Sequence, residues 1–138
     1  MQIAILYGVT AFIFLGLDVI GLNFLIKPIF DAEIGDMLLE TPRWGAAAAF
    51  YLAYVGGLLF FVCAPALRAE TALKTVFVTG ALFGAICYGA YEFTNLATLK
   101  GWTWRLTVID VAWGAALNGV SATAGVALTR AILSRRAQ

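Results

Sequence analysis

The side chains able to do chemistry in this chain are few, and they stand in apolar surroundings. Asp18 lies in "GLDVIGLNF", residues 16 to 24. Glu92 follows Tyr88 and Tyr91 and precedes Asn95, the last three within "YEFTNLATLKGW", residues 91 to 102. Asp110 opens "DVAWG" and is followed by Trp113. A carboxyl in such surroundings can take up a proton, hold a cation or act as a general acid or base. Each use needs the acids away from lipid, since an Asp at a membrane helix centre costs about 2.5 to 3.5 kcal/mol.

Composition explains why lipid is the solvent. The 138 residues are 62% hydrophobic and 12% charged, and the mean hydropathy is +0.91. A soluble domain carries about 25% charged residues, so this chain cannot cover a water-facing surface. Four stretches reach the ~20 apolar residues that a crossing needs: roughly 2 to 25, 44 to 67, 75 to 99 and 106 to 133. Their Gly/Ala-rich character and length fit helices, which satisfy their own backbone groups in hydrocarbon. The expected fold is all-α, a bundle of four transmembrane helices in a single domain over 1 to 138. The start "MQIAILYGVT" has no basic n-region and no small-residue cleavage site, so it reads as a retained first span.

The spans place the acids together. Spans one and three run toward the face that carries the first loop, and span four starts there. At 1.5 Å per residue, Asp18, Glu92 and Asp110 all lie roughly 7 to 11 Å below that face. On span three, Tyr88, Tyr91, Glu92 and Asn95 follow i, i+3, i+4, i+7, one polar stripe of a helix. On span four, Asp110, Gly114 and Ser121 share a face with Trp113 and Asn118 at its edges. On span one, Tyr7, Thr10, Phe14 and Asp18 line up while Asn23 points away, and span two adds Tyr51 and Tyr54. The expectation is a polar cavity open toward the first-loop face, lined by three acids, tyrosines and Asn95. No Lys, Arg or His lies at that depth, so the acids must be hydrated, protonated, joined by a shared proton or bound to a cation. Structural use is the competing reading, in which buried Asp and Asn join helices by hydrogen bonds.

The rest of the chain narrows the possibilities. It has no histidine, which argues against histidine-ligated di-iron or haem, HExxH zinc sites and a Ser–His–Asp triad. Lys27, Lys74 and Lys100 lie at or outside span ends, where retinal could not be held, and no phosphate-binding Gly loop precedes a GK[ST]. Oxygen-donor acids suit hard cations, yet the spacing requires no metal, and no cofactor is specified. A net charge of +1 gives no reason to expect nucleic acid. Cys63 and Cys87 fall in apolar segments at different depths and read as small buried hydrophobes. Trp44, Trp102 and Trp104 mark the first-loop face as a membrane–water boundary. Glycines such as Gly80 and Gly84 allow close helix contacts, within the bundle or between protomers. The first loop, "IKPIFDAEIGDMLLETPR", reads equally as an interfacial helix over the bundle mouth and as an irregular segment. Its helical side would carry Phe30, Ile34, Met37 and Leu38.

The termini side holds Arg68, Lys74, Arg130, Arg135 and Arg136, and the other side Lys27, Arg43, Lys100 and Arg105. Five against four places the termini in the cytoplasm. "YEFTNLATLKGW", "IDVAWG" and the first-span "GLDVIGLNF" together resemble the DUF2177 family of predicted four-span bacterial membrane proteins, over nearly the whole chain. The resemblance implies a multi-pass protein of the bacterial inner membrane and supports the polar motif. It implies no activity beyond a link to fatty-acyl modification. In the family pattern the acid after Tyr91 is more often Asp, and Glu92 moves the charge outward by one methylene.

Three functions follow as expectations. The first is binding or transport of a small polar ligand or cation coupled to protonation, with Asp18, Glu92 and Asp110 exchanging protons and Tyr88, Tyr91, Asn95 and Trp113 orienting the ligand. Four spans are few for a complete pathway, so it predicts a homo-oligomer. The second is an enzyme or accessory subunit acting on membrane lipid. The third is a membrane scaffold.

Overall fold

A computed structural model describes all residues, Met1–Gln138. The chain is helical with no strand. Helix α1 covers Gln2–Gly21 and passes through a π-helical turn, Leu22–Ile26, straight into α2, Lys27–Ile34. After the extended link that ends at Arg43, α3 covers Trp44–Leu58 and passes through a second π turn, Leu59–Cys63, into α4, Ala64–Arg68. Helices α5, Leu73–Thr98, and α6, Trp104–Arg136, complete the bundle. Four continuous helical stretches are thus long and apolar enough to cross a membrane, ending at Met37, Arg68, Thr98 and Arg136.

Each π turn has a cause in sequence. Pro28 and Pro65 stand at the first turn of α2 and α4, immediately beyond the two π segments. A proline inside a helix lacks an N–H and its ring meets the carbonyl four residues earlier. Widening the preceding turn removes that conflict without breaking the helix. The first loop is therefore mostly helix, continuous with the first span rather than a separate interfacial helix. Ile26, Ile29 and Ile34 are its buried residues, whereas Met37 and Leu38 are exposed, so the expected apolar side is only partly the one used.

Helix α6 runs through the middle, packed along α5 and also against α1. Glycine allows this closeness. A Cβ on Gly84 would stand 2.2 Å from the Gly114 carbonyl oxygen, and one on Gly80 2.9 Å from that of Asn118. The core is a cluster around Leu6, Phe14, Val55, Leu58, Leu117 and Val126. Large apolar side chains also cover the outside: Phe12, Phe24 and Phe60 are each more than 70% exposed. A surface that apolar needs lipid around it. Helix α3 packs least closely against the other spans. Its backbone stays apart from that of α5, and aromatic rings fill the space between them. On the termini face, Arg130 donates to the carbonyl oxygens of Ala66 and Thr71, both at 2.9 Å, and so ties α6 to the end of the second span. Cys63 and Cys87 are free thiols.

Candidate functional site

The site begins at a turn. Gly101 adopts φ +86°, a left-handed conformation that costs glycine nothing. The chain reverses there, and Trp102 folds back beneath the first-loop face while Thr103 starts α6. The Thr103 hydroxyl oxygen accepts from the Leu106 N–H at 3.2 Å, an N-cap, and its proton goes to Glu33 on α2. Arg105 stands 3.5 Å from the other Glu33 oxygen. These polar contacts clamp α2 onto the start of α6, and Ile29, Ile34 and Leu106 pack with Trp102 below them.

Trp102 is thereby held over Glu92. Its indole Nε1 donates to Glu92 Oε2 at 2.8 Å. Phe30 meets the indole edge-on at 5.8 Å between centroids, and Tyr91 does so from α5 at the same distance. Trp102 is 9% exposed, against 66% for Trp104 and 68% for Trp44. The other two tryptophans have the exposure of interface residues; Trp102 instead covers an acid. The sequence carried one signal for this, an indole ten residues after Glu92 and directly beyond a turn glycine.

Glu92 is completely buried, and its Oε1 meets no hydrogen-bond donor. The carboxyl of Asp110, 8% exposed, faces it from α6. Asp18, 3% exposed, has a separate arrangement. The Trp113 indole donates to Asp18 Oδ1 at 3.3 Å, and the Tyr51 hydroxyl from α3 comes to the same carboxyl. Trp113 reaches across because Gly21 leaves it room: a Cβ there would fall 2.0 Å from the indole ring. Tyr88 lies flat on Gly114, whose added Cβ would meet its ring at 2.2 Å. Tyr54 donates to Asn118 Oδ1 at 3.0 Å, and Asn118 Nδ2 donates to the Gly114 carbonyl at 2.7 Å.

Asp18, Tyr88, Glu92, Asp110 and Trp113 therefore come together inside the bundle. Tyr91 is exposed and takes part only through its ring on Trp102, and Asn95 is half-buried further toward the face. Tyr51, Tyr54, Asn118 and Trp102 belong to the neighbourhood as firmly as the tyrosine stripe does. The open cavity expected from the sequence is a correction to make. The three carboxyls are covered instead, because the packing of α2 on the start of α6 folds Trp102 and Phe30 over Glu92 while Trp113 and Tyr51 close on Asp18. A hollow of about 260 Å³ does lie on that face, lined by Asp31–Met37 and Gly101, above the covered acids. The carboxyls do not gather at one point where a metal ion would find three ligands.

Fold and site together define a helical membrane protein with four candidate spans and a buried polar centre toward one face. The sequence profile of a family described as "Predicted membrane protein (DUF2177)" matches residues 3–127, and the chain belongs to that family. No curated protein and no solved structure matches it.

Proposed function

We propose that the protein binds or transports a small polar ligand or cation at the Glu92–Asp110 pair, and that occupancy is coupled to a proton held between the two carboxyls. One observation carries this reading: Glu92 is fully buried, its Oε1 has no donor, and a second carboxyl, that of Asp110, faces it. Two ionised carboxylates facing each other in a poorly hydrated interior repel, and no side-chain cation stands between them. A proton or a bound cation is what makes the arrangement tolerable. A purely structural pair would place an amide or hydroxyl opposite Glu92, as Tyr54 and Asn118 do for each other.

The same reading places the termini in the cytoplasm of a bacterial cell, the chain in its inner membrane, and the protein in an assembly of several copies within membrane lipid. Its support is the five-to-four basic count and the number of spans, since four are few for a complete pathway within one chain. A C-terminal reporter active only outside the cytoplasm must then stay silent.

Infrared spectroscopy across a pH series tests the proton directly. The wild-type protein is expected to show a protonated-carboxyl stretch at neutral pH, and Glu92→Gln and Asp110→Asn should each shift or remove it. A wild-type spectrum with no such band at neutral pH overturns the reading.

A further inference from the structure

We infer that the ligand is an organic ammonium bearing N–H protons, its nitrogen between Glu92 and Asp110 and its alkyl part against the rings of Tyr51, Tyr54 and Tyr88. This rests on the function proposed above and names its ligand class.

Charge comes first. Three carboxyls are buried in the bundle; on their face Lys27 pairs with Asp31 and Arg105 with Glu33, while Arg43 and Lys100 are exposed and pair with none of the three. A positive group to match the pair must come from outside the chain. Hydrogen bonding narrows the class. The indoles of Trp102 and Trp113 already donate to Glu92 Oε2 and Asp18 Oδ1. Glu92 Oε1, fully buried, is left as an acceptor in need of a donor. An ammonium with N–H supplies both charge and donor, whereas a quaternary ammonium supplies charge alone and an alkali ion needs several oxygens converging on it. A metal ion fits poorly, since the carboxyls do not converge into a ligand set.

The surroundings fit the hydrocarbon end. Tyr54 is the centre of a ring cluster, with centroids 5.5 Å to Phe14, 5.8 Å to Phe83 and 6.3 Å to Tyr88. Tyr51 joins through Phe14 at 6.2 Å and comes to Asp18. Ring faces attract an ammonium and accommodate its methylenes. The rings also offer a route: α3 and α5 meet through these side chains rather than through close backbones, so rotamer changes can admit a slender ligand without unfolding a helix. Occupancy displaces the shared proton, so acid opposes binding. The other titratable groups facing the pair are Asp18 from α1, Tyr51 from α3, and Tyr88 and Tyr91 from α5, which leaves the pair and Asp18 as its carboxyls.

A free alkylamine and an ethanolamine lipid head group share this chemistry, and the experiment separates them. The thermal midpoint of the purified protein is followed in n-butylammonium, tetramethylammonium, potassium and magnesium chlorides at matched ionic strength. In parallel it is followed in nanodiscs of phosphatidylethanolamine and of phosphatidylcholine. The expected result is a dose-dependent rise with n-butylammonium only, lost in Asp110→Asn. Its apparent Kd should weaken up to about tenfold per pH unit on the acid side, as one-for-one exchange with a proton requires. A rise confined to phosphatidylethanolamine discs supports the same chemistry with the lipid as its source. An equal effect of tetramethylammonium or potassium, or no amine effect in either arm, overturns the inference. An effect of potassium or magnesium that Asp110→Asn abolishes would do so while upholding the acid pair as a cation site. An infrared proton band without any amine response would uphold the proton alone.

Discussion

Replacing Trp102 by Phe isolates the indole N–H from the ring that carries it. Phe keeps the contacts with Phe30 and Tyr91, both edge-on at 5.8 Å, but leaves the 2.8 Å bond to Glu92 unmade. Glu92 would then have neither oxygen satisfied, since Oε1 already meets no donor. A buried acceptor stripped of its partner costs about 1 to 3 kcal/mol, and the smaller ring adds roughly 1 kcal/mol for the space left behind. The substitution should therefore lower stability by about 2 to 4 kcal/mol. In a Glu92→Leu background the indole N–H is itself the orphan, so the same change should cost no more than the packing part, about 1 kcal/mol. The assay is reversible unfolding in mixed micelles, read by helical circular dichroism, on the four proteins of the double-mutant cycle. A coupling below about 0.5 kcal/mol would refute the argument, because Trp102 would then cover Glu92 without bonding to it.

Two more expectations follow. Gly114→Ala places a methyl 2.2 Å from the Tyr88 ring and should cost about 1 to 3 kcal/mol by overpacking. Gly8→Ala, with nothing within 4 Å of the new methyl, should be neutral or slightly stabilising; equal midpoints for the two variants would contradict the α5–α6 packing. Native mass spectrometry of gently released protein should show more than one chain per particle, and a spectrum of monomers alone would count against transport by an assembly.

The helices were readable because a lipid-facing surface leaves its mark on composition, residue by residue. The acids stood out for the same reason, as costly exceptions that helical spacing brought to one depth. The course of the chain after Asn23 was harder to read. Lys27, Pro28 and four acids between Asp31 and Glu40 carry the signals of a solvated loop, and local sequence alone leaves helix and loop even. What decides it is tertiary: Ile29 and Ile34 bury against Trp102 and Leu106, and Glu33 is held by Thr103 and Arg105. Trp102 misled for a related reason. Tryptophan near a span end ordinarily marks an interface, and only the fold-back at Gly101, visible in the backbone, turns this one inward.

Two of the three buried acids meet an indole rather than a cation, and glycine makes each indole possible. Trp113 bonds Asp18 across the gap left by Gly21, and Trp102 bonds Glu92 beyond the turn at Gly101. An indole N–H is a donor without charge, so it satisfies one oxygen and leaves the proton balance of the carboxyl undecided. A lysine would have fixed these acids as carboxylates for good. Asp110 breaks the pattern: it faces Glu92 instead of an indole. The asymmetry matters, since two acids tied by neutral donors form a fixed frame while the third supplies a second carboxyl at the only fully buried unpartnered acid oxygen. A proton on that second carboxyl meets the acceptor and ties α5 to α6, and on the function proposed above a cation takes the proton's place.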